Sequence, residues 1–208
     1  MSKSHQSKLL DNYASLAAYY DTPNPPVWQE IKDLLSEIRS GSSVLDIGCG
    51  TGRVRQVLPT NLDYTGLDNS PELLEVAQRR YPNNKFIQAD ARQLPLPDKF
   101  FDAVLLIAVV HHFLNKQDRM KVLSEARRVL KTGGRLYLSV WNLNRPKFWR
   151  QWRGWRKVVI PNRHNPKIKR VYFAYTQAKL RRELGQSGFT IESVSLKGQN
   201  IVVRAAGC

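Results

Sequence analysis

Apolar positions along this chain follow first a helical rhythm and then an alternation of strand and helix. Residues 5–20 place Leu9, Leu10, Tyr13, Leu16 and Tyr20 at helical spacing, and Thr22-Pro23-Asn24-Pro25-Pro26 breaks that helix. A second helix is expected through Val27, Trp28, Ile31, Leu34, Leu35 and Ile38, closed by Ser40-Gly41. From residue 43 the pattern predicts strands near 43–47, 63–67, 85–89, 102–107 and 134–141. Helices are expected near 52–58, 71–80 and 118–130. Ser70-Pro71-Glu72 reads as a cap followed by proline at the first helical position, and Lys131-Thr132-Gly133-Gly134 as a helix stop. Asp102-Ala-Val-Leu-Leu-Ile107 is apolar after its first residue, as suits a strand covered on both faces. A last helix (176–186) leads to strands near 189–195 and 200–204, which Lys197-Gly198-Gln199-Asn200 joins as an antiparallel hairpin.

This alternation predicts a doubly wound α/β fold in a single domain, 1–208, with residues 1–40 as an N-terminal helical lid. Residues 142–175 break the rhythm. They are rich in Arg, Lys, Trp, Asn and Pro and read as a basic insertion. The tryptophans fall about three apart, which would put them on one side of a helix if the segment is helical.

Charge sharpens the picture of that insertion. The chain carries 33 Lys and Arg against 17 Asp and Glu, a net charge of +16 over 208 residues. Between Glu125 and Glu183 there is no acid, yet the interval holds seventeen Lys and Arg. Such a block suits a polyanionic partner, a nucleic acid or an anionic membrane surface, unless it is simply a solvated basic face. The first twenty residues lack the apolar run of a signal peptide, and no stretch is long enough for a membrane span. Two cysteines, Cys49 and Cys208, make neither a disulfide framework nor a metal cluster, which suits a reducing cytoplasm with no metal site.

The candidate chemistry begins at Val44-Leu45-Asp46-Ile47-Gly48-Cys49-Gly50-Thr51-Gly52. Gly48, Gly50 and Gly52 let the backbone turn sharply against a ligand. A dinucleotide fingerprint would place a glycine at position 53, where this chain has arginine. A carboxylate at Asp46 gains nothing beside a pyrophosphate. It suits S-adenosylmethionine, which carries an ammonium and a sulfonium. Asp68, followed by Asn69, ends the second strand and can accept both hydroxyls of a ribose. Asp90, followed by Ala91, ends the third and can accept from an adenine amino group. The three acids stand at successive strand ends, in register with the glycine turn.

These residues resemble the class I S-adenosylmethionine-dependent methyltransferases from about residue 42 onward. The resemblance implies a Rossmann-like seven-stranded sheet with an antiparallel final hairpin. It assigns the cofactor to Asp46, Gly48, Gly50, Gly52, Asp68, Asn69, Asp90, Ala91 and Ile107. A narrower likeness lies in Ile107-Ala108-Val109-Val110-His111-His112, in the strand ending Val140-Trp141, and in Val171-Tyr172-Phe173-Ala174-Tyr175. Together these are similar to the tRNA wobble-uridine 5-carboxymethyl methyltransferases. That resemblance implies a carboxylate methyl acceptor on a modified uridine of a tRNA and, in some members, a small zinc-containing activator subunit. Where the family has Thr-Arg after its N-terminal aromatic segment, this chain has Thr22-Pro23.

A carboxylate acceptor is already ionised at neutral pH and needs no general base. It needs alignment and exclusion of water. His111 or His112 is expected to hold the acceptor, with Tyr13 and Tyr20 as a lid over the cofactor and Tyr20 also among the residues that bind the acceptor substrate. The Asn/Asp-Pro-Pro-Tyr signature of amino-group methylation is absent after the fourth strand, and Asn24-Pro25-Pro26-Val27 lies ahead of the glycine turn. Arg150, Arg153 and Arg156, interleaved with Trp149, Trp152 and Trp155, suit phosphates and splayed bases. The same basic, Trp-bearing segment could instead lie on a membrane surface. It would then belong to a methyltransferase of a lipid-soluble molecule such as a quinone precursor.

Overall fold

The computed structural model describes residues 26–154, 156–162 and 165–207. The expected helix at 5–20, with Tyr13 and Tyr20, lies outside the described residues, as does Trp155. The described chain opens with α1 (Gln29–Leu35), then β1 (Ser43–Ile47), β2 (Asp63–Asp68), α2 (Pro71–Arg80), β3 (Lys85–Gln88) and β4 (Phe101–Ile107). Next come α3 (Lys116–Val129), β5 (Leu130–Trp141), β6 (Lys157–Pro161) and β7 (Lys169–Phe173). The chain closes with α4 (Gln177–Gln186), β8 (Phe189–Lys197) and β9 (Asn200–Gly207). Short 3-10 turns occupy Arg53–Val57, Val110–His112 and Pro146–Gln151.

Seven strands form one sheet in the order β3-β2-β1-β4-β5-β9-β8. β1 to β5 run parallel, and β9 lies antiparallel to both β5 and β8. β1 is buried along its whole length and sits between β2 and β4, so its C-terminal end opens where the strand order reverses. One core cluster joins Leu45, Leu106, Leu123, Leu138, Leu184 and Val203, and a second joins Ile31, Leu35, Val44, Tyr64, Leu105 and Tyr137 on the other face. Gly198-Gln199 makes the two-residue turn between β8 and β9, with Lys197 opposite Asn200 and Gly198 at φ +53.

Several local expectations differ from the structure. The segment after the glycine turn is a 3-10 turn and not an α-helix. Pro59 follows too closely for two α-turns to close, and Arg55 holds the carbonyls of Leu58, Pro59 and Thr60 instead. α1 stops at Leu35, well before Ser40-Gly41. Ser70 occupies the N-cap position of α2, but its hydroxyl donates to Glu72 (2.7 Å) and caps no backbone amide. α3 starts at Lys116 because Asn115 accepts from Asp118 N (2.7 Å). It passes directly into β5 at Leu130 without waiting for the glycines.

The insertion differs most. In place of one helix carrying tryptophans on one side, it folds as the six-residue 3-10 turn and the antiparallel pair β6–β7. Pro146 and Pro161 bound those elements, and Gly154 turns between them at φ +68. Phe148, Trp141 and Trp152 pack on a small cluster of Leu143, Val158, Tyr172 and Ala174.

Candidate functional site

Asp46, near the end of β1, is 1 % exposed and accepts a hydrogen bond from the Tyr64 hydroxyl (2.8 Å). Burial is the main cause that pushes its carboxyl up to about 7; Tyr64 opposes the rise, Asp68 adds to it, and Arg53 opposes it. Gly48 follows at φ +73, and a Cβ there would meet Val109 Cγ2 at 2.5 Å. The amides of Gly48 (2.6 Å) and Cys49 (3.0 Å) both donate to Leu67 O, which carries the β1–β2 ladder into the turn. Gly50 N donates to Asp68 Oδ2 (2.9 Å) and Ser70 N to Oδ1 (3.0 Å), so the second acid is tied to the glycine turn. Burial raises the Asp68 carboxyl, against the pull of the Ser70, Gly50 and Asn69 amides. Asn69 and Ala91, at the ends of β2 and β3, are half-buried, and Ile107 is buried at the end of β4. The structure thus gathers the three strand ends expected from sequence.

Asp90 is placed as expected, but its carboxylate is already engaged. Arg92 grips it through Nε (3.0 and 3.1 Å) and Nη2 (2.6 Å) and reaches Asp118 with Nη1 (3.2 Å). An adenine amino group there would share Asp90 with Arg92 and use its remaining lone pairs.

On the acceptor side, β4 is followed by Ala108, a non-glycine residue at φ +61. Its amide is held by Ser139 O (3.0 Å) and Ser139 Oγ (3.1 Å). Such a conformation costs about 1–3 kcal/mol and persists only where its surroundings impose it. His111 follows, fully buried, with Nδ1 accepting from Trp141 N (3.3 Å). That bond leaves the proton on Nε2, which has no hydrogen-bond partner among the described residues. Burial, then the neighbouring His112, pushes the His111 pKa well down, so its ring is neutral. His112, Trp141 and Tyr172 surround it with ring centroids 4.8–5.3 Å away. Tyr172 comes from β7, so the insertion is docked directly on the two histidines.

A buried network fixes this segment from behind, and sequence reasoning missed it. Arg119 on α3 pairs with Glu183 on α4 through Nη2–Oε1 (3.0 Å) and Nε–Oε2 (3.1 Å). It also donates to the carbonyls of Phe113 (3.2 Å) and Leu114 (2.8 Å), immediately after His112. The Tyr175 hydroxyl donates to Glu183 Oε2 (2.7 Å), and the guanidinium lies 3.8 Å from the Phe173 ring centroid. Burial works to raise the Glu183 carboxyl, but the Arg119, Tyr175 and Lys179 contacts prevail and hold it below the usual range. The pair is 64 residues apart, and no local signal marks it. Tyr64 and Arg92 were missed as well, although Arg92 stands two residues from the acid it holds.

The expected RNA-contacting arginines do not act as one stripe. Arg150 and Arg153 are exposed and adjacent, with Arg153 Nη1 donating to Arg150 O (2.9 Å). Arg156 turns inward, its Nη1 on Ala174 O (3.2 Å). Tyr20 lies outside the described residues.

A family model described as a methyltransferase domain matches residues 45–138. The chain is 37 % identical over 131 residues to a probable tRNA methyltransferase 9B of Bos taurus, covering 63 % of this chain and 28 % of that protein. A demethylmenaquinone methyltransferase of Thermotoga maritima is 38 % identical over 147 residues, covering 65 % and 61 %. A tRNA (carboxymethyluridine(34)-5-O)-methyltransferase of Schizosaccharomyces pombe is 32 % identical over 131 residues, covering 63 % and 56 %. The chain thus spans between 28 % and 61 % of the length of these curated relatives. Among solved structures, a SAM-dependent methyltransferase of Methanosarcina mazei superposes with TM-score 0.76 at 18 % identity, covering 88 % of this chain and 98 % of that one. A complex of the Haloferax volcanii Trm112 methyltransferase activator with a methyltransferase gives 0.67 at 16 % identity, covering 100 % and 98 %.

The site at the ends of β1, β2 and β3 fits S-adenosylmethionine on its own geometry. A buried, cation-seeking carboxyl stands at Asp46. Asp68 keeps lone pairs for hydroxyls after receiving two amides. A Cβ at Gly50 would meet only Leu73 Cδ1, at 3.9 Å, so the space above the turn is open to a ligand.

Proposed function

We propose that this methyltransferase transfers the methyl group of S-adenosylmethionine to the carboxylate of a 5-carboxymethyl-type wobble uridine in tRNA. Bound here, S-adenosylmethionine would supply an electrophilic methyl; a carboxylate oxygen would form the new C–O bond as the C–S bond breaks, giving a methyl ester and a neutral thioether. Asp46 compensates the cofactor's positive charge, Asp68 orients its ribose, and Asp90 with Arg92 borders the adenine. The Nε2–H of His111 is a neutral donor suited to orienting an oxygen. It does not act as a base, and a carboxylate needs none.

The observation that carries this reading is the docking of the insertion. Tyr172 of β7 lies 5.3 Å from His111 and 5.0 Å from His112 between ring centroids, which joins the acid-free basic segment to the acceptor side of the site. Exposed Arg150 and Arg153 then supply phosphate contacts beside it. The names of the similar tRNA methyltransferases support the same acceptor. The solved Trm112 complex supports adding a small activator subunit, zinc-containing in the resembling family, to the assay.

The test uses labelled S-adenosylmethionine with total tRNA and total lipid extract, each with and without such an activator. Label in tRNA that mild alkali releases is the expected result. Alkali-stable label in tRNA would mean a ring or ribose position. The similarity to the demethylmenaquinone enzyme favours a second reading, methylation of a quinone precursor at a membrane surface. Label recovered only in lipid would establish that one and sink the first.

A further inference from the structure

The described aromatic residues around the insertion's 3-10 turn divide into two groups that the sequence pattern does not separate. Phe148 and Trp152 are packed against Leu143, Val158, Tyr172 and Ala174. Among the described residues of the insertion, Trp149 is the large aromatic that points out, 67 % exposed, on the same 3-10 turn as exposed Lys147 and Arg150. An exposed tryptophan on a turn of this kind contributes nothing to the core, and its apolar surface is unfavourable in water.

One turn further on, a cavity of about 370 Å3 is lined by Asn144, Trp152, Gly154, Arg156 and Thr176. It therefore combines an aromatic wall, a guanidinium and two further polar side chains. Its backbone is unusual: Arg156 sits at φ +52 and Gly154 at φ +68. Non-glycine residues rarely adopt such angles, and they do so where surrounding structure imposes them. Here Ala174 N donates to Arg156 O (2.7 Å) and Arg156 Nη1 donates to Ala174 O, which pins the residue against the end of β7. Trp149 O accepts from Trp152 N (3.3 Å), so the exposed platform and the cavity wall are joined across a single 3-10 turn, about 6 Å of rise.

We propose that this cavity receives one splayed nucleobase of a single-stranded RNA loop, stacked on Trp152 with Arg156 beside it, while Trp149 stacks the neighbouring base outside. Lys147, Arg150 and Arg153 neutralise the intervening phosphates. The occupant is argued from charge complementarity within the acid-free stretch and from the aromatic–arginine pairing that unpaired bases favour. This inference rests on the tRNA reading and adds which groups grip the loop.

The test compares binding of a short hairpin RNA with an unpaired loop, a fully paired duplex of equal charge, and anionic phosphatidylglycerol vesicles. Trp149→Ala is expected to weaken hairpin binding roughly 5- to 150-fold, the range for loss of one base–aromatic stack. Trp149→Phe should recover most of that loss. Gly154→Asn places a side chain at the cavity, where a Cβ meets nothing within 4 Å, and asparagine tolerates the positive φ. It should weaken hairpin binding similarly while cofactor affinity and thermal stability stay at wild-type values. Neither variant should change duplex binding. The proposal is overturned if both variants bind the hairpin like wild type, if duplex binding falls equally, or if the loss appears only on vesicles. Wild-type protein that binds no RNA overturns the functional reading along with it. Wild-type protein that methylates tRNA, with both variants unaffected, overturns this inference alone.

Discussion

Asp46 sets function against stability, and the conflict is measurable as a pH dependence. Its carboxyl is fully buried, and its pKa rises from an ordinary 3.8 to about 7. A carboxyl that holds its proton more tightly folded than unfolded makes stability fall as pH rises between the two values. Here the fall begins near pH 4 and is complete a little above pH 7. At 1.36 kcal/mol for each tenfold step, the rise to about 7 corresponds to a loss of about 4 kcal/mol. Asp46→Asn removes the charge but keeps an oxygen to accept from the Tyr64 hydroxyl, now 2.8 Å away. The cofactor-free variant should match wild type below about pH 4, where the wild-type group is protonated both folded and unfolded, and should already be more stable by about 1.5 kcal/mol at pH 5. At pH 8 it should be more stable, by up to about 4 kcal/mol. That is a gain in melting temperature of about 8–16 °C for a chain of this size. Thermal melts from about pH 3.5 to about pH 8 without cofactor measure the divergence, a range that spans the two pKa values that bound it. The same variant should lose cofactor binding, because the ammonium and sulfonium lose their counter-charge. In the wild type near pH 6, cofactor binding should release a proton, visible by calorimetry in buffers of different ionisation enthalpy. A variant that is less stable than wild type at pH 8, or a difference that does not change with pH, would refute the reasoning.

Removing Glu183 (Glu183→Ala) leaves Arg119 buried without its carboxylate and should cost about 3–5 kcal/mol, or roughly 6–20 °C in melting temperature. Because Glu183 is held below the usual carboxylate pKa, its stabilising contribution is present above the unfolded value of about 4.3. It is lost as pH falls through the folded value, so the gap between wild type and variant should close in acid melts. Gly48→Ala forces a Cβ to 2.5 Å from Val109 Cγ2 at a φ of +73. It should reduce cofactor affinity at least tenfold in a direct titration, whereas Gly133→Ala, with open space around it but a similar φ, should leave that affinity unchanged. Replacing Arg150 and Arg153 with alanine should lower tRNA affinity and flatten its logarithmic salt slope by about 1–2, with cofactor titrations unaffected.

The features legible in the sequence are those whose cause is local. The glycine turn announces itself because Gly48, Gly50 and Gly52 all adopt positive φ, a requirement written in residue type at those positions. β4 was visible as an apolar run after Asp102 because both its faces are covered. α2 matched its expected span, 71–80, because Pro71 fixes its first turn and Leu73, Leu74, Val76 and Ala77 bury one face. The helix expected at 52–58 failed for an equally local reason, too few residues before Pro59, which spacing alone did not weigh. The insertion failed because tryptophans three apart fit an α-helix and a 3-10 turn alike. Which one forms depends on the prolines, on Gly154 and on the pairing of β6 with β7.

What the sequence could not show is which side chain holds each functional group, because those partners meet only through sheet register and helix packing. Asp46 faces Tyr64 because β1 pairs with β2 so that Val44 stands opposite Tyr64 and Asp46 opposite Gly66. The small partner leaves room for the tyrosine hydroxyl to reach the carboxyl, and a Cβ at Gly66 would strike the Phe86 ring at 2.7 Å and Cys49 Sγ at 2.9 Å. Arg119 meets Glu183 only once α4 is brought against α3, and that ion pair then fixes the carbonyls that follow the two histidines. The cofactor side of the site is therefore local chemistry on a regular sheet. The acceptor side is a tertiary construction in which α3, α4 and the insertion fix one short segment. Acceptor choice should accordingly respond to changes in β6, β7 and their turn that leave the glycine cradle and its three acids untouched.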